Sequence, residues 1–312
     1  MQLYKSRGFG EFFQDTFLFL KQNGKHLYKN FFIINGVFIL ILLVLGYFFS
    51  DFYSELLFGN LSNDASAVES YINENAAVFI IFLIAFFTVG LISIIISYSY
   101  VPIYLKLYAK QNGKNFNASD IINEYKSNIS KLLIYLVCAI LVAIPVLLIA
   151  GVVSFVLTIT IIGLLFIPLV IGAVSLFYQG TLMEYIEHKK SIWESFSYSW
   201  VLMSTKFWSA IGCVGLFFLM GYIFQNIVVL IPYFIFIVDM LTGLEAGTDP
   251  DPQQISKSFS VIMVLIFLLS YLIGIFLNLI IQVNQGVVFY SLKEDVEHIN
   301  TKSDIDLIGT RE

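Results

Sequence analysis

The sequence predicts an all-α integral membrane protein with about six transmembrane helices. They are grouped as three parallel two-span units, each preceded by an amphipathic helix at the cytoplasmic interface. Three observations lead there. Of 312 residues, 58% are hydrophobic and only 12% charged, with a mean hydropathy of +0.85, whereas soluble domains run at about 45–50% apolar and about 25% charged. Apolar runs recur at bilayer-spanning length, and the basic residues fall in alternate loops. Lipid, not water, must solvate most of this surface.

A spanning helix needs about 20 mainly apolar residues. Six stretches meet that length: 31–50, 77–107, 130–154, 161–188, 207–238 and 259–290. The first follows a mixed segment and exceeds the ~7–15 residues of a signal-peptide core, so it reads as a retained span. The second is long enough to tilt or to project beyond the hydrocarbon through Lys106 and Lys110. The apolar stretch 131–179 is too long for one helix and divides near Thr158–Gly163, where β-branched residues and glycine weaken a helix. The run 207–241 reads either as one helix kinked near Pro232 or as two short ones turning at Gln225–Asn226. Pro102, Pro145 and Pro168 also lie in or near spans.

Charge placement sets the number of spans and their direction. Lys5, Arg7, Lys21, Lys25 and Lys29 precede the first span. Lys106, Lys110, Lys114, Lys126 and Lys131 lie between the second and third, Lys189, Lys190 and Lys206 between the fourth and fifth, and Lys293, Lys302 and Arg311 after the sixth. Of the seventeen Lys and Arg residues only Lys257 falls on the other side. Loop 51–75 carries Asp51, Glu55, Asp64, Glu69 and Glu74 and no base. Both termini are therefore expected in the cytoplasm, with 294–312 a polar cytoplasmic tail.

The units run from about 8 to 110, 117 to 188 and 191 to 293. Each opens on an amphipathic stretch: Phe9, Phe12, Phe13, Phe17 and Leu20; then Ile121, Ile122, Tyr125, Ile129 and Leu132; then Ile192, Trp193, Phe196, Trp200, Met203 and Phe207. Ser191 with Glu194 matches a capping box, and Ser119 with Asp120 marks an N-cap for the second stretch. Helices with an aromatic face and flanking lysines lie in the headgroup plane; packing on a cytoplasmic partner is the other reading. Phe9, Phe13, Phe17, Trp193, Trp200 and Trp208 are the expected interfacial anchors. The even spans end alike, in Tyr178-Gln179-Gly180 before Glu184-Tyr185, and in Asn284-Gln285-Gly286 before Tyr290 and Lys293-Glu294. Tyr98-Ser99-Tyr100 with Tyr104 is a weaker third copy.

The stretch Ser191-Ile192-Trp193-Glu194-Ser195-Phe196-Ser197-Tyr198-Ser199-Trp200-Val201-Leu202, followed by Lys206-Phe207-Trp208, resembles the glycerophosphoryl diester phosphodiesterase membrane-domain-like family of bacterial multi-span proteins. The opening, Gly10-Glu11 through Phe17-Leu18 to Asn30-Phe31-Phe32, is similar to the start of that family. The resemblance covers the general layout of the chain and implies a bacterial cytoplasmic membrane. The family's catalysis belongs to a separate soluble barrel, and no segment between these spans approaches the ~250 residues of one. The resemblance therefore implies neither phosphodiesterase activity nor functional residues.

Chemistry-bearing patterns are few. His26, His188 and His298 are far apart, and Glu184 with His188 is a weak metal pair that reads better as a solvated helix end. No GxSxG, HExxH or P-loop occurs. Cys138 and Cys213 lie in apolar runs without CxxC spacing and read as packing residues. Without a basic stripe, nucleic acid is not an expected partner. No cofactor or metal is expected. No ionisable residue lies at the centre of a span, which argues against transport coupled to a buried carboxylate. Polar neutral side chains do occur there: Asn278, Gln282 and Gln285 on one face of the last span, with Asn284 beside them, Gln225 and Asn226 in the fifth and Gln179 in the fourth. Such groups hydrogen-bond between helices or line a polar cavity. The expectation is a non-enzymatic scaffold, assembly factor or accessory subunit, contacting membrane lipid and other membrane subunits or its own copies. The alternative is a transporter or lipid-handling protein using the Asn/Gln face.

Overall fold

The computed structural model describes residues 1–58, 70, 73–160, 162–187, 189–245 and 252–300. Among them are seven α-helices: α1 (Phe9–Phe58), α2 (Ala76–Lys110), α3 (Ala118–Thr158), α4 (Ile167–Ile186), α5 (Ile192–Thr205), α6 (Phe207–Glu245) and α7 (Pro252–Glu297). A 3-10 turn, Ile162–Phe166, leads into α4. Six stretches are long and apolar enough to cross a membrane: Phe9–Phe49, Ala76–Lys110, Ala118–Thr158, Ile162–Ile186, Phe207–Ile235 and Val261–Glu297. The chain is an all-α multi-span membrane protein.

Each helix boundary has a local cause. The α2–α3 turn places Asn112 at φ 50° and Gly113 at φ 150°, and the Gly113 N–H reaches back to the Tyr108 carbonyl at 3.0 Å. Asn and Gly are the residues that tolerate this left-handed cap. Asn117 then caps α3 in a reciprocal box with Asp120, and Ser191 caps α5 in the same way with Glu194. The Glu11 carboxylate accepts from the Gly8 N–H at 2.9 Å. So an acid three residues into each of the three starts binds the backbone N–H at the cap. The cap of α3 is Asn117, two residues before the Ser119 expected from sequence, because its side chain is the one that reaches the Ser119 and Asp120 N–H groups.

Two of the three amphipathic stretches differ from expectation. The first is the opening of α1 and the second the opening of α3, each continuous with its span. Neither is a separate helix. Ending a helix strands about four N–H and four C=O groups, and neither junction holds a proline to force that loss. Only α5 stands alone, broken from α6 at Lys206 (φ −131°, ψ 52°). The 207–241 run is a single helix, α6, with Pro232 inside it. Helix α3 ends at Thr158, at the turn expected near Thr158–Gly163.

The chain divides into two compact units, each built from separated stretches. One comprises Met1–Ile34, Ser97–Gly221 and Leu277–Glu312, the other Asn35–Ile96 and Tyr222–Phe276. In the second, Gly46 of α1 leaves room for the Phe267 ring, Ser93 donates to Asn35 at 3.3 Å, and Gln225 donates to the Ser270 carbonyl at 3.5 Å. The first holds the densest core, with Phe12, Phe19, Leu27, Phe31, Tyr100, Tyr104, Phe289 and Tyr290 fully buried. Its helices approach closely at glycines. A Cβ on Gly172 of α4 would lie 2.7 Å from the Gly215 nitrogen and 3.2 Å from the Ile211 carbonyl oxygen of α6. A Cβ on Gly286 of α7 would meet Leu105 Cδ1 of α2.

These two contacts differ in what must give way. At Gly172 the neighbour is backbone, so Gly172→Ala is expected to force α4 and α6 apart at a cost of about 1–3 kcal/mol. At Gly286 only the end of a leucine side chain need rotate, so Gly286→Ala should cost less. Thermal unfolding of the purified variants in one detergent measures the order.

Candidate functional site: a buried ionic cluster beneath an N-terminal strap

The charged end of the first unit contains ionisable side chains with almost no exposure. Lys293 of α7 and Glu184 of α4 are both at 0% relative exposure. Lys293 Nζ donates to Glu184 Oε2 at 2.6 Å and to Glu187 Oε2 at 2.5 Å. The other oxygen of Glu184 accepts from Lys190 Nζ at 2.6 Å. Lys190 sits 3.8 Å over the Tyr198 ring of α5, and the Tyr198 hydroxyl donates to Glu297 at 2.5 Å. Lys189 adds a looser contact to Glu187 at 4.0 Å. Carboxylates and ammoniums thus alternate across α4, the α4–α5 turn, α5 and α7. Isolated charges taken from water cost several kcal/mol each, and only such short, multiply bonded partners offset it.

The end of α4 also needs cations. Its last carbonyls have no helical N–H, and Glu184 and Glu187 add negative charge where the helix dipole is already negative. Lys131 donates to the Tyr185 carbonyl at 2.7 Å and Lys106 to the Ile186 carbonyl at 2.8 Å. Lys106 also pairs with Glu124. Two lysines from α2 and α3 therefore cap the same helix that supplies the acids.

The N-terminal residues form a strap over this end. Arg7, 1% exposed, donates from Nε to Asp15 at 2.7 Å and from its other nitrogens to the carbonyls of Gln2, Leu3 and Lys5. A planar five-donor fork is suited to gathering several carbonyls at once. Lys206 donates to the Arg7 carbonyl and to Ser6 Oγ at 3.0 Å, and pairs with Asp295 at 2.8 Å. The Met1 amine donates to the Tyr108 hydroxyl at 2.9 Å. Tyr4 meets the edge of Tyr290, with ring centroids 5.0 Å apart, and its carbonyl accepts from the Asn300 amide. Burial first, then the charges of Glu187, Glu297, Glu184 and Glu294, pushes the Tyr4 phenol well above its usual range. Burial, then the bond to Glu297, does the same at Tyr198. At α5 the Ser191 N–H holds the exposed Glu194 carboxyl below the usual carboxylate range.

The polar intramembrane face expected from sequence is partly assembled. Gln179, Gln282 and Gln285 are buried in the first unit. Gln282 donates to the Ser97 carbonyl at 3.2 Å and to Asn278 Oδ1 at 2.7 Å, and Gln285 donates to Ser175 at 2.6 Å. Gln179 donates to the Tyr98 carbonyl at 3.5 Å. That carbonyl lies four residues before Pro102, which has no N–H to offer it. Asn284 joins Thr16 of α1 and Cys213 of α6. Asn278 is itself exposed, and Gln225 and Asn226 belong to the second unit, where Asn226 donates to its own helix at Tyr222. The buried amides serve as interhelical bonds. Of the expected anchors, Phe9 and Phe17 are half exposed and Trp193, Trp200 and Trp208 more so; the Phe13 and Phe17 rings lie against Phe217 of α6 with centroids 5.3 and 5.6 Å away.

No family model, curated protein or solved structure matches the chain.

Sequence reasoning missed the ionic cluster. Glu184 was expected at a solvated helix end beside His188; it is buried against Lys293, and His188 lies outside the described residues. One signal was present. Asn278, Gln282, Gln285, Phe289, Lys293 and Glu297 recur every three or four residues, so Lys293 continues the Gln face of α7.

Removing one partner of a buried pair leaves an uncompensated charge, which costs about 3–5 kcal/mol. Lys293→Met is expected to destabilise the protein by that order. Adding Glu184→Gln and Glu187→Gln to it should recover much of the loss. The unfolding temperatures of the two variants in detergent decide this, and a triple variant no better than the single one would contradict it.

Proposed function

We propose that the protein is a non-enzymatic component of a bacterial cytoplasmic membrane, acting as a scaffold, assembly factor or accessory subunit. The observation that carries this reading is the closure of the ionic cluster on itself. Glu184, Glu187, Lys190 and Lys293 are spent on one another, and Arg7 and Lys206 on the strap. Beside it, aromatic side chains are left uncovered: Trp193, Trp200 and Trp208 are 57%, 55% and 75% exposed, among exposed charged groups such as Lys21, Lys25 and Glu194. A charged end closed on itself and flanked by exposed aromatic rings suits docking of other membrane subunits, or of further copies, among lipid.

The sorting of Lys and Arg supports an orientation with both termini cytoplasmic. A reporter fused after Glu312 is expected to be active only in its cytoplasmic form. Activity on the far side would reverse the topology.

Photo-crosslinkers placed at Trp193 and Trp208, activated in native membranes and followed by mass spectrometry, test the role. The expected result is recurrent adducts with one membrane protein, or with a second copy of this chain. Recovery of the chain with lipid adducts alone would count against a scaffold or subunit role.

A further inference from the structure

The first unit carries a cleft of about 460 Å³ between α3, α4 and the α5–α6 junction. Its walls are apolar and aromatic throughout. Ala150 of α3, Ala173 and Phe177 of α4, Ile211 of α6, and Trp200 and Trp208 on either side of the α5–α6 junction all line it. None of the polar groups described above lines it. Its size lies within the range of ligand pockets, roughly 300–1,000 Å³.

We propose that this cleft binds one acyl chain of a membrane glycerophospholipid. Two observations select that occupant. The cleft is continuous with the lipid-facing surface of the spans: Ile149, Val153, Trp200 and Trp208 line it and are themselves exposed at 63%, 43%, 55% and 75%. A hydrocarbon chain thus enters without leaving the bilayer. The volume also matches a single chain. A methylene is close to a water in size, and at ~30 Å³ per water the cleft takes about fifteen carbons in single file. The indoles of Trp200 and Trp208 have the amphipathic character that favours the headgroup level, which places the ester end of the chain beside them and its tail toward Val153 of α3 and Leu169 of α4.

This site is independent of the scaffold reading, and its test separates the two. The full-length protein with Trp193→Phe retains two tryptophans, Trp200 and Trp208, both at the cleft. In detergent it is titrated with a phosphatidylcholine whose acyl chains carry bromine, a quencher of indole fluorescence. The expected result is saturable quenching, reversed by the same lipid without bromine and not by glycerophosphocholine, which has the headgroup alone. Ala150→Phe and Ala173→Phe fill the cleft and should abolish the saturable component, since the chain then gains no packing contacts beyond those it already has in the micelle. Leu141→Phe, on the exposed face of α3 outside the cleft, should leave it unchanged. Quenching that rises linearly with lipid, or competition by glycerophosphocholine, overturns the proposal even if the filled variants fail to fold. So does an unaltered titration in filled variants that keep the parent's unfolding temperature.

Discussion

A buried ammonium in a protein surrounded by lipid has to find its counter-charges within the chain. Lys293 finds them in Glu184 and Glu187, and much of the first unit is organised around that need. Supplying two acids at the end of α4 places negative charge where the helix already ends in unpaired carbonyls. Lys106, Lys131 and Lys190 answer it from α2, α3 and the α4–α5 turn. Each correction brings in another element, so one charge pair comes to position five segments of chain. Arg7 and Lys206 extend the same logic to the N-terminus, where carbonyls rather than carboxylates take the donors.

Away from that end, polar bonds between the described helices are made by amides and by hydroxyls, as where Tyr100 donates to the Leu27 carbonyl and Tyr135 to the Tyr178 carbonyl. Gln179, Gln282, Gln285 and Asn284 each tie α4 or α7 to a neighbour, and one of these bonds uses a carbonyl released by Pro102. Bonds of this type are worth about 0.6 kcal/mol on average in membranes. Close packing at Gly172, Gly215 and Gly286 adds to these bonds, since in lipid close contact replaces the hydrophobic effect as a source of helix association. The same logic accounts for the cleft: where α3 and α4 present alanines instead of larger side chains, hydrocarbon from the bilayer is the natural filler.

The spans were legible in the sequence because their signal is one of length and composition, and both survive averaging. The turn at Thr158 and the capping box at Ser191 were legible because each is set within a few residues. The shift of the α3 cap from Ser119 to Asn117 came from a choice between neighbouring side chains, which only their directions settle. The continuity of α1 and α3 was lost for a different reason. An amphipathic pattern reports which face is apolar, and the same pattern serves a helix lying on a membrane and one that runs on into it.

The sequence by itself determined that lipid is the solvent, that the chain crosses it about six times, and which stretches are charged. Only the tertiary structure decided which of those charges meet. Glu184 and Lys293 are 109 residues apart, and the register that sets Lys293 on the Gln face of α7 does not say what covers it, because each residue sits at a helix end that composition alone assigns to water. Burial of a charge is a property of what packs over it, here the strap from Gln2 to Arg7 and the turn carrying Lys190. A linear pattern gives the face of a helix but leaves its covering undetermined.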